Sequence, residues 1–258
     1  MAITGIEYAV ISRLKSDGLL IDRPAVLEIG RSNWYGDVDL RELIADIGKL
    51  IEDKSERDDV IASIRTLKAE KPDSYLYDLA DIFWKVLVNP EIRQAVDLDT
   101  ATDSMKLDLN EPIKLDRQYD LVCNFGTAEH IFNIYQVFKT IHEVTCSGGL
   151  MLHGTPFQGW IDHGFYTFQP TFYFDLAEVN DYHVHSLVYT EILPHKIITL
   201  PSRSSIIELA KSGGIADNAM LYAVLKKAEV DRPFRSPTQG YYNPKHRKSL
   251  EESWRALR

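Results

Sequence analysis

Polar side chains and glycines occur at the carboxyl ends of four apolar runs that are typical of buried strands. In chain order, these ends carry Glu28, Gly30 and Arg31, then Asp97 and Asp99, then Asp108, and finally Asn124, Phe125 and Gly126. In an open α/β sheet, ligands bind beyond the carboxyl ends of the strands, near the point where the strand order reverses. Four successive strand ends with suitable residues therefore predict one ligand-binding crevice.

The residue types at these ends suit the recognition of a nucleoside. Gly30 allows a sharp turn and a close approach of the backbone to a ligand. A carboxylate after the second strand can accept hydrogen bonds from both ribose hydroxyls, and one after the third can accept from an adenine amino group. Asp108 also lies in "DLNEP", a sequence that favours a turn, so a purely structural role for it stays open.

Alternating strands and helices must position these residues. Apolar spacing predicts helices over residues 3–16, 38–54, 60–67, 75–88, 134–145 (closed by "SGG") and 172–182. Strands are predicted over residues 25–30, 93–99, 104–109, 119–126, 149–156, 183–192 and 219–228. The last two strands could pair antiparallel at an edge. The pattern predicts an α/β fold with a doubly wound, mostly parallel sheet of about seven strands.

The chain between the first two strands, residues 37–92, is longer than a single crossover requires. We expect it to carry a helical insertion beside the ligand-binding end of the sheet. A plain helical elaboration with no role in catalysis is the alternative.

These segments resemble the class I S-adenosylmethionine-dependent methyltransferase family, in its type 11/12-like form. The matching stretches are "VLEIG" (26–30), "AVDLD" (95–99), "LDLNEPI" (107–113), "YDLVCNFGTAEHIFN" (119–133) and "SGGLMLHGTP" (147–156). The resemblance implies a Rossmann-like sheet of seven strands, the seventh antiparallel between the fifth and sixth, and S-adenosyl-L-methionine as cofactor. It implies that Asp97, or alternatively Asp99, binds the ribose and that Asp108 and Leu109 bind the adenine.

The first turn departs from the family pattern. Family members usually continue as "ExGxGxG", whereas this chain has Ser32 and Trp34 where the next two glycines would fall. Adenosylmethionine has no pyrophosphate, so the close phosphate approach that requires glycine is not needed. We expect Gly30, Ser32 and the backbone at Arg31 to frame the methionine portion, and Glu28 to reach its ammonium group directly or through water. Trp34 and Tyr35 either cover this pocket or serve only in packing.

Methyl transfer is an in-line displacement, and a positioned base can help an oxygen or nitrogen acceptor to lose its proton. His163 is a candidate base because its aromatic loop, with Tyr166, follows the fifth strand. We expect residues 157–182 to form an acceptor-side lid, with aromatic packing as the alternative. His130 is a second candidate base, or a structural residue of the family-like "EH" pair, and His153 is expected to be a satisfied strand residue.

The loop sequence also resembles a stretch of bacterial methyltransferases that modify carbohydrates or secondary metabolites, which implies a small-molecule or glycosyl acceptor. A metal site is not expected, because His153, Asp162, His163 and His183 lie at no recognised ligand spacing.

Composition argues against several classes of protein. The 258 residues carry a formal net charge of −9, which disfavours general nucleic-acid binding. No apolar run approaches the roughly 20 residues that span a bilayer. The first residues lack a signal-peptide core, and the two cysteines form no redox or metal spacing. We therefore expect a cytoplasmic protein without a membrane partner, with a homodimer as the option considered for its assembly.

We predict an N-terminal helix in residues 1–24, a methyltransferase domain in residues 25–227 and a basic tail in residues 228–258. The tail is expected to be solvated, or alternatively to contact an anionic substrate or a neighbouring subunit. Two other functions remain open. One is a catalytically silent Rossmann-like protein for ligand binding or scaffolding, which the altered first turn favours. The other is an NAD-dependent oxidoreductase, which the absence of "GxGxxG" disfavours.

Overall fold

The computed structural model describes residues 2–98, 103–191 and 196–257. The chain divides into two compact units, one up to Lys106 and one from Leu107 onward. Both units combine helices with strands, so the chain has a mixed α/β fold. In the described residues, no helix has both the length and the apolar character required to cross a membrane.

The first unit is built on three parallel strands. Its elements are β1 (Ala2–Ile3), α1 (Gly5–Ser16), β2 (Ala25–Ile29), β3 (Asn33–Trp34), α2 (Leu40–Leu50), α3 (Lys54–Glu70), α4 (Tyr75–Phe83), a π-helical turn (Trp84–Val88), β4 (Ile92–Asp97) and β5 (Met105–Lys106). The strands run in the order β5–β4–β2, and β1 pairs with β3 in a separate parallel ribbon. The carboxyl ends of β2 and β4 therefore lie side by side.

The apolar sequence of β2 explains its central place in this unit, because all five of its residues are buried. The predicted helix over residues 75–88 forms, but its second half is π-helical and ends at Asn89, which adopts a left-handed conformation with φ of 53°. The predicted strand over residues 104–109 shortens to Met105–Lys106, because a turn begins immediately after it at Asp108.

Four aromatic side chains join α1, β3 and α4. Tyr8, Trp34 and Phe83 have ring centroids 5.4–6.2 Å apart, and Phe83 contacts Trp84 at 5.5 Å. All four rings are buried. Trp34 thus packs in the core of this unit, and the alternative in which it covers a ligand pocket is wrong.

The second unit contains five strands. Its elements are β6 (Tyr119–Phe125), a 3₁₀ turn (Ala128–His130), α5 (Ile134–Val144), β7 (Thr145–Gln158), α6 (Pro170–Asn180), β8 (His183–Glu191), β9 (Lys196–Thr199), α7 (Ser205–Lys211), β10 (Ala219–Lys226), a second 3₁₀ turn (Gly240–Tyr242) and α8 (Pro244–Arg255). The strand order is β6–β7–β10–β8–β9, with β6 and β7 parallel and the other pairs antiparallel.

The predicted antiparallel pairing of β8 with β10 is confirmed. The edge position that the pattern alone allowed is wrong for β10, whereas the family resemblance had implied a last strand between its two predecessors. β10 lies between β7 and β8, and seven of its eight residues are buried, as expected for a central strand. The sequence pattern did not indicate β9 or α7. "SGG" does not close α5, which ends at Val144, because these residues continue into β7.

The basic C-terminal segment is anchored on α6. Asp175 accepts a hydrogen bond from the Gly240 N–H at 3.0 Å, and the Asn180 side chain accepts from the Arg235 N–H at 2.8 Å. Glu178 contacts His246 at 2.8 Å. Acidic side chains of α6 therefore neutralise part of the positive charge of residues 228–258. The favoured sequence interpretation had expected this segment to be free in solvent.

The Lys227 side chain connects the end of β10 to the C-terminal end of α5. Its ammonium group donates to the carbonyl oxygens of His142 at 2.8 Å and Thr145 at 2.9 Å, and it pairs with Asp231 at 2.9 Å. Only 2% of the side chain is exposed. A buried cation held by two carbonyl oxygens and a carboxylate is a strong local contact.

We predict that Lys227→Met lowers the free energy of unfolding by about 2–4 kcal/mol, because two buried carbonyl groups lose a charged donor. The adjacent Lys226 is the matched control, since it is 43% exposed and pairs with Glu229 at the surface. Lys226→Met should change stability by less than about 0.5 kcal/mol. Urea unfolding measures both variants, and equal losses would contradict the role assigned to Lys227.

Candidate functional site

The turn after β2 is joined by its backbone to the neighbouring strand β4. Gly30 has a φ of +84°, a conformation that glycine adopts without a steric penalty. Its N–H donates to the Val96 carbonyl at 2.7 Å, and the Arg31 N–H donates to the Asp97 carboxylate at 3.0 Å. The predicted ligand residues Gly30, Arg31 and Asp97 therefore lie together. Asp99 lies outside the described residues.

A buried carboxylate holds the next residue of this turn. Glu28 is fully buried and accepts hydrogen bonds from both the N–H (3.0 Å) and the hydroxyl group of Ser32. The Ser32 oxygen in turn accepts from the indole N–H of Trp84 at 3.2 Å. Arg93 lies with its Nε 3.0 Å from Glu28 Oε1. Side-chain contacts thus fix the turn where the family pattern uses glycine.

These contacts give Glu28 a structural role in the turn. Burial raises the pKa of its carboxyl group, and the Arg93 guanidinium opposes this rise. Ser32 and Arg93 hold the carboxylate at the turn, but its Oε1 accepts no hydrogen bond in the described residues. The contact of Glu28 with a ligand ammonium group, direct or through water, therefore stays a prediction.

Arg31 places a second guanidinium group beside the turn. Its Nη2 pairs with Asp81 at 3.0 Å, and its Cζ lies 5.3 Å from the centre of the Tyr77 ring. Arg93 also donates to Asp81, so this carboxylate joins the two arginines. The Arg31 side chain is only 12% exposed, and within the described residues its buried Nε has no hydrogen-bond partner. The turn therefore offers an unused, charged donor to an acceptor group.

Asp108 occupies a turn of the second unit, as its alternative interpretation predicted. Its Oδ1 accepts from the backbone N–H and the side-chain amide of Asn110, both at 2.9 Å, and these bonds lower the pKa of the exposed carboxyl group. Asn110 is bound in turn by Asn133, which caps α5. Leu109 is buried beside this turn. The contacts of Asp108 are structural, and its adenine role remains a sequence-based hypothesis.

The end of β6 forms a second tight turn. Asn124 is buried, and its side-chain oxygen accepts from the Ala128 N–H at 3.0 Å. Phe125 is also buried, and Gly126 has a φ of +80° and donates its N–H to the Gly154 carbonyl at 2.9 Å. The predicted residues Asn124, Phe125 and Gly126 thus shape the entry to the 3₁₀ turn that carries His130.

His153 is a buried strand residue, as expected, but it is not fully satisfied, because its Nε2 has no hydrogen-bond partner within the described residues. Its ring is buried in β7 and lies 3.4 Å from the Asn124 amide. Burial lowers the pKa of this imidazole to about 3, so it is neutral at physiological pH.

A carboxylate that the sequence analysis did not name adjoins two of the predicted catalytic residues. Glu129 is fully buried, and neither of its carboxylate oxygens has a hydrogen-bond partner in the described part of the chain. Burial raises the pKa of this group to about 7. The Nε2 atom of His163 lies 3.8 Å from Glu129 Oε1, and the His130 and His163 rings are 4.9 Å apart. In the sequence, the "EH" pair of Glu129 and His130 was the signal that could have indicated this carboxylate.

The loop that carries His163 is attached to the backbone of Glu129. The Glu129 carbonyl accepts from the N–H groups of Phe165 at 2.7 Å and Tyr166 at 3.2 Å. A Cβ at Gly164 would lie 3.0 Å from the same carbonyl oxygen, so glycine permits this close approach. The Tyr166 hydroxyl donates to the Phe132 carbonyl at 2.7 Å. Its observed contact braces the loop and does not show a catalytic role.

The predicted lid and the C-terminal segment line a cavity of about 480 Å³. The lid residues Tyr166, Phe168, Gln169 and Phe172 border it together with Asp175 and, from the C-terminal segment, Pro237 and Gln239. Aromatic walls with a few polar groups are typical of small-molecule sites. His163 is not among the residues that line this cavity.

No protein-family model matches the sequence. A search of the curated proteins also finds no match. Several solved structures of methyltransferases match the chain. The N-methyltransferase NodS from Bradyrhizobium japonicum WM9 has a TM-score of 0.47 and 11% identity, covering 86% of this chain and 95% of its own.

Two O-methyltransferases also match. The StiE O-methyltransferase has a TM-score of 0.47 and 12% identity, over 88% of this chain and 75% of its own. The O-methyltransferase of a Brevibacillus brevis trans-AT PKS multienzyme, in complex with S-adenosyl-L-homocysteine, has a TM-score of 0.44 and 10% identity. The match covers 86% of this chain and 72% of that chain. Likeness at this level does not assign an activity.

We predict that Arg93→Met lowers the free energy of unfolding by about 3–5 kcal/mol, because it leaves the buried Glu28 charge without its cation. The double variant Glu28→Gln with Arg93→Met removes both charges and should recover a large part of this loss. Arg65→Met, at an exposed position of α3, is the control. Urea unfolding gives the three values. A loss below about 1 kcal/mol for the Arg93 variant would contradict the bracing role of the pair.

Proposed function

We propose that the chain is an S-adenosylmethionine-dependent methyltransferase that moves a methyl group to an oxygen or nitrogen atom of a small-molecule or sugar-linked acceptor. The observation that carries the proposal is the unpartnered Nε of Arg31, buried at the turn after β2. A carboxylate such as that of the methionine portion would satisfy this donor with a charge-assisted hydrogen bond. The family-like strand ends of the sequence supply the adenosyl part of the proposal.

The first unit would supply the amino-acid and ribose contacts. Gly30 and Ser32 leave the turn narrow, and Arg31 would bind the carboxylate of the methionine portion. Asp97, which already accepts from the Arg31 N–H, would accept from the ribose hydroxyls, with Asp99 as the alternative. Bound adenosylmethionine supplies the electrophilic methyl group on its sulfonium. The residues of the turn would orient it.

The candidate acceptor site lies within the second unit. The cavity lined by the predicted lid and the C-terminal segment has the size and the aromatic lining for a small molecule with an apolar or ring-shaped portion, and Gln169 offers a polar contact. His163 and His130 are the candidate bases, since both imidazoles are accessible. Partial burial and the neighbouring His163 lower the pKa of His130, which keeps it unprotonated at neutral pH.

Calorimetry with adenosylmethionine, adenosylhomocysteine and NAD tests the function. We predict that the first two bind and that NAD does not, and that Arg31→Lys weakens adenosylhomocysteine about 5- to 150-fold, because lysine has no counterpart of the Nε donor. Arg65→Lys, an exposed substitution, is the matched control. Binding of NAD alone would indicate an oxidoreductase. Binding of adenosylmethionine without turnover on any acceptor would favour the silent binding protein.

Asp97→Ala tests the ribose contact. We predict that it weakens adenosylhomocysteine binding by about 1–3 kcal/mol, the range for polar partners left unpaired. Asp58→Ala removes the same charge from an exposed position of α3 and should leave the affinity unchanged. Thermal unfolding of both variants checks that the fold is retained. An unchanged affinity for Asp97→Ala would assign the ribose to Asp99 or reject the contact.

A further inference from the structure

Three side chains with metal-binding atoms converge where the lid meets the 3₁₀ turn. One donor atom each from Glu129, His130 and His163 lies within 4.8 Å of the other two. In the residues that the structure describes, no other group of three or more His, Cys, Asp or Glu side chains meets this criterion. His163 Nε2 lies 3.8 Å from Glu129 Oε1.

The carboxylate of this group lacks the contacts that a buried carboxylate requires. Glu129 is fully buried, and both oxygens are without hydrogen-bond partners in the described segments. A buried carboxylate is costly unless it is hydrogen-bonded, paired with a cation or bound to a metal. Since two accessible imidazoles flank Glu129, a cation at this point would satisfy all three side chains at once.

Local backbone contacts hold the ligand atoms together. His130 follows Glu129 directly in the 3₁₀ turn, and the loop after His163 donates two N–H groups to the Glu129 carbonyl. In the same loop, Trp160 and Asp162 adopt left-handed conformations, with φ of 56° and 60°. Such conformations persist where the surrounding structure fixes them. The loop is thus attached to the backbone of Glu129, and it places His163 beside the side chain of the same residue.

We propose that Glu129, His130 and His163 bind one divalent transition-metal ion of the zinc type, with at least one coordination position open to a further ligand. Two imidazoles and one carboxylate suit zinc, iron, cobalt or manganese better than calcium or magnesium. Four-coordinate zinc places its donor atoms about 3.4 Å apart, so the side chains must close by roughly 1 Å. Both histidines are exposed and have room for this adjustment.

The sequence search missed this site because its residues follow no known ligand spacing. Glu129 and His130 are adjacent, and His163 reaches them only through the fold of the loop. Three of the residues considered for a metal in the sequence, His153, Asp162 and His183, do not belong to the group. An ion here would use the imidazole lone pairs that a general base needs, so it would replace the base role proposed for His130 and His163.

The test is a metal titration of the full chain after removal of metal with EDTA, in the absence of cofactor and acceptor. Zn²⁺ binding by calorimetry should show one equivalent. Co²⁺ should give visible absorption bands of a low-coordinate site. The readout does not depend on the proposed methyltransferase function, because no methyl transfer is measured.

His163→Ala, His130→Ala and Glu129→Gln should each weaken Zn²⁺ binding at least about tenfold, since even outer-shell changes at metal sites cost 10- to 100-fold. Glu129→Gln also removes a buried charge, so it should not unfold the chain. The matched control replaces His183 and His185, two exposed histidines of β8, with alanine and should bind Zn²⁺ as the unaltered chain does. Absence of a one-equivalent site, or equal binding by all variants, would overturn the proposal.

Discussion

The buried carboxylate of Glu28 is the contact on which the turn after β2 depends. It binds the Ser32 backbone and hydroxyl, and it is paired with Arg93. Arg93 shares Asp81 with Arg31, so a chain of alternating charges runs through the first unit to the turn itself. A buried charge pair of this kind contributes more to defining one geometry than to net stability. Here it explains how the turn is held with few glycines.

The strand ends could be predicted from the sequence because a buried parallel strand leaves a local signal. "VLEIG" and "YDLVCNF" are short apolar runs, and the structure forms β2 and β6 at these positions. The partners of the turn could not be predicted in this way. Trp84 and Arg93 are 52 and 65 residues from the residues that they contact, and such pairings follow only from the packed fold.

The second unit shows the same limit. The helix α5 and the antiparallel pair of β8 with β10 follow from local patterns. The importance of Glu129 could not be predicted from such patterns, because the local sequence does not distinguish a buried, unpartnered carboxylate from an exposed one. β9 also escaped prediction, since four residues at a sheet edge carry little periodic signal.

The central claim is that a turn held by side chains binds the methionine portion of adenosylmethionine. The most direct measurement is a crystal structure of the chain with adenosylhomocysteine. The account predicts the ligand carboxylate within hydrogen-bond distance of Arg31 Nε, with the contact of Glu28 to Ser32 retained. A saturated crystal in which the ligand lies elsewhere, or in which Arg31 Nε remains without a partner, would contradict it.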